Sequence, residues 1–145
     1  MHISDVLRGK GRDVYTVPPD TTVRDLLDVL AEFRIGATVV SADGENVDGI
    51  VSERDVVRAL AARGAAVLSE DVSTIMTREV VCTALTEHVD VIFGVMTQQR
   101  IRHIPVLVDE RLSGLVSIGD LVKTRVAELE TERDSLAQYI NTATT

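Results

Sequence analysis

The sequence predicts an α+β fold made of two related repeats, each a small sheet with helices on one side, followed by a C-terminal helix. Two observations support this prediction. The stretch GIVSERDVV at 49–57 returns as GLVSIGDLV at 114–122, and residues 23–40 align with residues 89–106 when the chain is compared with itself. We therefore divide the chain into a first repeat at 1–66, a second repeat at 67–126 and a helical tail at 127–145.

The first repeat shows the order strand, helix, strand, strand, helix. Pro18 and Pro19 end a short apolar run, Thr22 is a typical helix N-cap, and Asp43-Gly44 is a turn signal between two apolar runs. The expected elements are a strand at 14–17, a helix from Thr22, strands at 37–40 and 47–51, and a helix from Ser52 to about Gly64. The second repeat follows the same order from Val80, with its turn at 109–111.

A repeat of about 60 residues can hardly bury both faces of its own sheet. We therefore expect the two repeats to pack sheet to sheet and to share one core, with a pseudo-twofold axis between them. A cleft on that axis would be lined by matching residues from both repeats, and a ligand bound there would contact both.

The composition narrows the classes of function. Apolar residues make up 45% of the chain and aromatic residues 3%, so the core must consist of aliphatic side chains. The net charge of -8, without a run of Lys or Arg, argues against a nucleic-acid partner. No apolar stretch reaches the roughly 20 residues that a membrane helix needs. A single cysteine, Cys82, and a start without the apolar core of a signal peptide predict a cytoplasmic protein.

The repeated phrase also contains candidate binding residues. Ser52 with Asp55, and Ser117 with Asp120, stand where a helix follows a strand. A carboxylate in this position can accept hydrogen bonds from two hydroxyls of a diol, and the helix N-terminus favours an anion. The alternative is purely structural, since Ser with an acidic residue three positions later is close to a helix capping box.

In the order and spacing of both repeats, the chain resembles the tandem cystathionine β-synthase (CBS) domain pair, or Bateman module, from Ile3 to about Val126. The resemblance implies a cleft that binds an adenosine compound such as AMP, ATP, NAD(H) or S-adenosylmethionine, with no cofactor required. It implies that Asp55 and Asp120 hold ribose hydroxyls and that Ser52 and Ser117 approach the phosphate.

The resemblance assigns six further residues to the nucleotide site. Arg102 and His103 would hold phosphate, Lys10 and Arg12 would add phosphate contacts, and Thr16 and Thr83 would border the adenine. Because the first repeat has Gly36 and Ala37 where the second has Arg102 and His103, we expect two unequal half-sites. Asp120 should then contribute more to binding than Asp55. Solvated loop or strand positions are the alternative for each of these residues.

The sequence contains no convincing catalytic or metal-binding group, since its three histidines are isolated and no nucleophile motif is present. We therefore expect a regulatory protein and not an enzyme, acting on a separate protein partner. A constitutive dimeric scaffold with an empty cleft is the alternative. In the tail, apolar residues at heptad-like spacing favour a homodimer to which the tail helices contribute, although the tail could also pack on its own domain.

Overall fold

The computed structural model describes residues 1–144 and contains eleven α-helices and strands in that range. Thr145, the last residue of the predicted tail, lies outside the described residues. The elements are α1 (Ile3–Lys10), β1 (Thr16–Val17), α2 (Val23–Phe33), β2 (Ala37–Val40), β3 (Gly49–Ser52), α3 (Glu53–Arg63), β4 (Thr83–Ala84), α4 (Val89–Gln99), β5 (His103–Val108), β6 (Arg111–Ser117) and α5 (Ile118–Ala143). Two short 3-10 helices, Ala65–Ser69 and Val72–Thr74, connect the repeats.

The two repeats form two three-stranded sheets with the same topology. In the first sheet β1 pairs parallel to β2, which pairs antiparallel to β3. In the second sheet β4, β5 and β6 pair in the same way. The order β-α-β-β-α in each repeat and the α+β class are therefore confirmed.

The buried residues form two clusters and not the single shared core that the sequence suggested. The first repeat supplies the strands and helices of one cluster, and the second repeat supplies those of the other. Each cluster is completed by the segment that precedes the other repeat. Ile3, Val6 and Leu7 of α1 are buried against the second repeat, whereas Val67 and Val72 are buried against the first. Each repeat therefore needs a segment of chain from the other.

Backbone hydrogen bonds repeat this exchange. The amide of Val89, at the start of α4, donates to the carbonyl of Met1 over 3.0 Å. In the matching position, the amide of Val23 at the start of α2 donates to the carbonyl of Glu70 over 2.9 Å. These bonds use helix N-terminal amides that have no partner within their own helix. The N-terminal segment is therefore fixed to the second repeat, although it is far from it in sequence.

The glycine of each repeated phrase lies where the exchanged segment crosses the sheet. A Cβ at Gly49 would lie 2.5 Å from Sδ of Met76 and 2.9 Å from the carbonyl oxygen of Thr77. A Cβ at Gly114 would lie 2.7 Å from Cδ1 of Leu7. Glycine is therefore required at Gly49, where a backbone carbonyl lies in the way, whereas at Gly114 a side chain would displace the Leu7 side chain.

Several elements differ from the sequence-based expectation: α1 was not predicted, and the first strand of each repeat, β1 or β4, is only two residues long. The predicted tail continues the second helix of repeat 2 without a break, so that α5 runs from Ile118 to Ala143. The first hairpin is joined by an eight-residue loop, residues 41–48, instead of a tight turn at Asp43-Gly44. The second hairpin has a tight turn, in which Asp109 and Glu110 both have positive φ.

We predict that Gly49→Ala destabilises the protein by about 1–3 kcal/mol, because the new methyl would overlap a backbone carbonyl that cannot move freely. Gly94→Ala is the matched control, since no heavy atom lies within 4 Å of a Cβ in the middle of α4. That control should be neutral or stabilising by up to about 1 kcal/mol. Urea unfolding of both variants gives the free energies. Equal stability of Gly49→Ala and wild type would contradict the close crossing.

Candidate functional site

Both repeated phrases form a junction between a strand and a helix that is closed by a capping box. The amide of Ser52 donates to Oδ2 of Asp55 over 2.8 Å, and the amide of Asp55 donates to Oγ of Ser52 over 3.3 Å. The amide of Ser117 donates to Oδ2 of Asp120 over 2.9 Å, and the return bond measures 3.1 Å. Both Ser-Asp pairs therefore form helix capping boxes, which was the structural alternative to a binding role. It does not exclude a binding role, because each box takes its amide hydrogen bond at Oδ2 and leaves Oδ1 to a ligand.

Two cavities lie where the repeats meet, and one phrase lines each of them. The first, of about 340 Å³, contains Ser52 and Asp55, and we call it the Asp55 cavity. The second, of about 320 Å³, contains Ser117 and Asp120, and we call it the Asp120 cavity. Gly36, Ala37 and His103 line both cavities. A ligand in either cavity would therefore contact both repeats.

The Asp55 cavity carries an excess of positive charge, although the whole chain has a net charge of -8. Its lining contains two carboxylates, those of Glu53 and Asp55, and four arginines, which leaves a formal excess of two positive charges. The four arginines are Arg54, Arg58, Arg100 and Arg102. The Asp120 cavity is formally neutral, because Lys10 and Arg34 are balanced by Asp13 and Asp120. An anionic ligand would thus be favoured in the Asp55 cavity.

The position of Arg102 corrects one expectation from the sequence. Arg102 belongs to the second repeat, and we expected it to strengthen the half-site of Asp120. It lines the Asp55 cavity instead, together with Ser52 and Asp55 of the first repeat. The reason is the packing of the two repeats, which brings the turn between α4 and β5 next to the junction of β3 and α3. The linings of the two cavities are unequal, as expected, but Arg102 lies with Asp55, whereas His103 lines both cavities and Lys10 lies with Asp120.

Lys10 forms an ion pair with the carboxylate of Asp120 in the other cavity. Its Nζ lies 2.5 Å from Oδ2 of Asp120 and 2.6 Å from the carbonyl oxygen of Leu115. Burial alone would raise the pKa of Asp120, but the hydrogen bonds from Lys10 and from the Ser117 amide, with the positive charge of Lys10, hold that pKa below its ordinary value. Within residues 1–144, Asp55 has no such cation and accepts hydrogen bonds from Ser52 alone.

His103 lies between the two cavities as a neutral side chain. Burial lowers its pKa below the ordinary value, and the nearby charge of Lys10 lowers it further, in spite of Asp120 and Glu53. A Cβ on Gly36 would be 3.7 Å from Cε1 of His103 and 3.5 Å from Oε1 of Glu53. His103 therefore lines both cavities, and its neutral imidazole offers one N–H donor and one acceptor nitrogen to a ligand.

Three predicted site residues do not line these two cavities. Thr16 and Thr83 occupy matching places at the starts of β1 and β4, where they pair with Val39 and Val106. Arg12 is exposed in the segment between α1 and β1. Their contact with a ligand remains a prediction, whereas Lys10, Ser52, Asp55, Arg102, His103, Ser117 and Asp120 all line a cavity.

Sequence reasoning missed three arginines of the Asp55 cavity. Arg54 and Arg58 are one turn apart at the start of α3, and Arg100 ends α4 in the left-handed conformation, with φ of 55°. The alignment of the repeats gave a usable signal, because it matches Arg100 with Arg34, which has φ of 53° and lines the Asp120 cavity. Two aligned arginines at two helix ends indicate a shared role.

Other chemistry is not visible in the part of the chain that the structure describes. Residues 1–144 contain no group of three or more His, Cys, Asp or Glu side chains that could hold a metal ion. Over the same residues, no helix combines the length and the apolar character that crossing a membrane would require.

The fold is thus a pair of repeats of the same topology that exchange segments and enclose two cavities at their junction. The model of the CBS domain family matches residues 3–62 and again residues 72–127. The chain belongs to the CBS domain family and contains two copies of the domain, as the resemblance implied.

Known relatives and solved structures agree with this assignment. A CBS-domain containing protein from Agrobacterium tumefaciens is 45% identical, with a TM-score of 0.84, covering 86% of this chain and 99% of that one. A CBS domain protein from Pyrobaculum aerophilum complexed with AMP is 30% identical, with a TM-score of 0.77, covering 90% and 97%. A mitochondrial CBS domain-containing protein from Arabidopsis thaliana is 37% identical over 95% of this chain and 71% of its own length.

Some relatives are much longer enzymes. Inosine-5'-monophosphate dehydrogenase from Methanocaldococcus jannaschii is 30% identical over 79% of this chain, which spans 22% of that enzyme. The similarity is to a part of the dehydrogenase, so it carries the domain assignment and not the enzyme's activity.

We predict that Lys10→Met reduces the loss of thermal stability that the protein shows at acidic pH. Because the pKa of Asp120 is held below its ordinary value, its ionised form stabilises the fold at neutral pH, and this stabilisation is lost as the pH falls through the lowered pKa. Without Lys10 the difference in Tm between pH 7 and pH 3 should shrink by roughly 1–3 °C.

Arg12→Met is the matched control for this measurement, because it removes a nearby exposed positive charge without touching Asp120. Its acid dependence should follow the wild type. If the Tm of Lys10→Met and that of Arg12→Met depended on pH in the same way, the ion pair between Lys10 and Asp120 would make no contribution to stability.

Proposed function

We propose that this protein is a regulatory module that binds one adenosine nucleotide per chain in the Asp55 cavity and passes the bound state to a separate protein partner. The observation that carries the proposal is the lining of that cavity, which combines a diol-binding carboxylate with an excess of positive charge. The relative from Pyrobaculum aerophilum that was crystallised with AMP supports the ligand class.

The charge of the cavity favours ligands that carry phosphate. An arginine guanidinium can hold two phosphate oxygens at once, and four arginines are available in the Asp55 cavity. AMP, ADP, ATP and NAD(H) meet this requirement. S-adenosylmethionine carries a sulfonium cation, so the same arginines disfavour it. A phosphate near the start of α3 would also gain from the positive end of the helix dipole.

The ribose would bind at Asp55. Among residues 1–144, its carboxylate accepts hydrogen bonds only from the Ser52 backbone amide and hydroxyl, so a cis-diol can be accepted without breaking an ion pair. At Asp120, Oδ2 already accepts hydrogen bonds from Lys10 and from the Ser117 amide, and the charge of Lys10 neutralises the carboxylate, so a diol would find a weaker acceptor there. This difference is the reason for assigning one nucleotide per chain and for placing it with Asp55.

A regulatory role follows from the position of the cavity between the repeats. A ligand that contacts both repeats favours the arrangement in which both sets of contacts are made, and a partner that recognises this arrangement would respond to the ligand. We propose a cytoplasmic location, in keeping with the single half-buried cysteine. No step of catalysis is part of this proposal.

We predict that AMP, ADP, ATP or NAD(H) raises the Tm of ligand-free protein, and that calorimetry of the best ligand finds about one site per chain. At about 100 times the Kd, the ligand should stabilise the fold by about 2.7 kcal/mol. Asp55→Asn and Arg102→Ala should each weaken binding about tenfold to a hundredfold, because each removes a charge-assisted hydrogen bond.

Asp120→Asn is the matched control, since it makes the same chemical change in the matching box. Under the same conditions it should change the Kd less than about threefold, which corresponds to a change in binding free energy below about 0.7 kcal/mol, because Asp120 lies outside the proposed site. Binding that is lost in Asp120→Asn and retained in Asp55→Asn would refute the assignment of the cavity. If none of these nucleotides raised the Tm or bound in the calorimeter, the proposed ligand class would be refuted.

A constitutive scaffold is the second candidate function. It is favoured by the two capping boxes, in which Asp55 and Asp120 already have a structural role without any ligand. In that case Asp55→Asn would lower the stability of the protein, and neither the wild type nor the variant would bind a nucleotide. The calorimetric titration therefore separates the two candidates.

A further inference from the structure

His103 is the ionisable side chain at which the two cavities meet. It begins β5 and pairs with Ser117 of β6, the last residue before α5. The matching residue of the first repeat is Ala37, which pairs with Ser52 in the same way. His103 and Ala37 line both cavities, but only His103 carries a group that can change its charge near neutral pH. A charge on this imidazole would therefore act on both cavities.

The imidazole is half-buried and has no fixed polar partner in the described chain. Among residues 1–144, no group forms a hydrogen bond with it. A neutral imidazole tolerates such surroundings, whereas an imidazolium has two N–H donors to satisfy and a charge to compensate. The ligand-free protein therefore suits the neutral form of His103.

The charged groups on the side of the Asp120 cavity cancel one another. Lys10 and Arg34, at the ends of α1 and α2, are balanced by Asp13 and Asp120. Because Lys10 is paired with Asp120, the charge of that carboxylate is offset. Burial lowers the pKa of His103 most, and the charge of Lys10 then lowers it more than that of Asp120 raises it. This side of the imidazole offers no free anion.

The charged groups on the side of the Asp55 cavity leave positive charge beside the imidazole. Glu53, at the start of α3, lies next to Gly36, as the ring of His103 does, and its charge raises the pKa of His103. Glu53 and Asp55 are outnumbered by the four arginines of this cavity, which leaves two positive charges uncompensated. These arginines are Arg54, Arg58, Arg100 and Arg102, and the charge of Arg102 lowers the pKa of His103. An anion in this cavity would reverse the balance.

We propose that His103 takes up a proton when a nucleotide binds in the Asp55 cavity, so that the protein binds the nucleotide more tightly as the pH falls. A nucleotide phosphate carries between one and two negative charges at neutral pH, which compensate the arginines. Its oxygens also accept hydrogen bonds from an imidazolium. This inference rests on the proposed function and adds the proton as a second signal that the same site reads.

The direction of the pH dependence follows from linkage. In the ligand-free protein the pKa of His103 lies below its ordinary value, chiefly through burial, and the phosphate would raise it in the complex. Affinity then increases as the pH falls from the pKa of the complex to the pKa of the free protein, by at most about tenfold per pH unit. Outside this window His103 makes the affinity neither stronger nor weaker with pH.

The first test is a calorimetric titration with AMP at about pH 8 and about pH 6, in buffers of different ionisation enthalpy, which counts the protons taken up. His103→Gln keeps a donor and an acceptor but cannot titrate. Relative to this variant, wild type should gain at least about threefold in affinity between the two pH values and should take up more protons. The phosphate of AMP titrates near pH 6 with either protein, so the difference isolates the imidazole.

His88→Gln is the matched control for this titration. His88 is an exposed histidine that lines neither cavity, so its replacement should leave the proton uptake and the affinity of wild type unchanged. Circular dichroism checks that both variants keep the fold.

The second test follows the imidazole directly by an NMR pH titration, in which the loss of a signal in His103→Gln identifies His103. Without nucleotide, its pKa should lie below the ordinary value of histidine, and saturating AMP should raise it. In the ligand-free protein Lys10→Met should also raise this pKa, because it removes a cation and exposes the charge of Asp120. Arg12→Met is the matched control, since Arg12 lines neither cavity.

The outcomes separate this inference from the proposed function. AMP binding with the same pH dependence in wild type and His103→Gln, or a pKa of His103 that AMP leaves unchanged, would overturn the inference and leave the proposed function intact. A ligand-free His103 with an ordinary pKa would overturn it too. If AMP, ADP, ATP and NAD(H) all failed to bind at both pH values, the proposed function would be refuted, and the inference with it.

Discussion

The exchange of short segments between the two repeats is the contact on which the rest of the structure depends. Leu7 packs on Gly114, and Met76 packs on Gly49, so each repeat completes the core of the other. The crossing fixes the ends of β3 and β6, where the helices with the binding residues begin. It also brings the turn between α4 and β5 against the phrase of the first repeat. Both cavities therefore follow from a crossing that combines apolar packing with backbone hydrogen bonds, such as the pair between Ile50 and Thr77.

The two cavities show how duplicated residues can come to differ in role. Both phrases keep the serine and the aspartate that cap a helix, so selection for the fold alone would retain them. The residues around them decide what else they can do: four arginines line the cavity that contains Asp55, whereas Lys10 neutralises Asp120. The same short motif thus provides an open carboxylate in one cavity and an ion pair in the other. Local charge, and not the motif, separates the two sites.

The repeat in the sequence was sufficient to predict the class of fold, the order of the elements and the family. The candidate residues Ser52, Asp55, Ser117 and Asp120 were found for the same reason. Sequence reasoning failed where the answer depended on contacts between distant segments. It grouped Arg102 with Asp120 because both belong to one repeat, although packing brings Arg102 to Asp55. It could not foresee the partner of Lys10, which lies 110 positions away along the chain.

A crystal structure of the protein grown with the nucleotide that stabilises it most would test the account directly. We predict one nucleotide per chain in the Asp55 cavity, with its ribose hydroxyls on Asp55 and its phosphate on Arg102, while Lys10 remains paired with Asp120. A nucleotide in the Asp120 cavity, with Lys10 displaced and the arginines around Asp55 without a ligand, would contradict it.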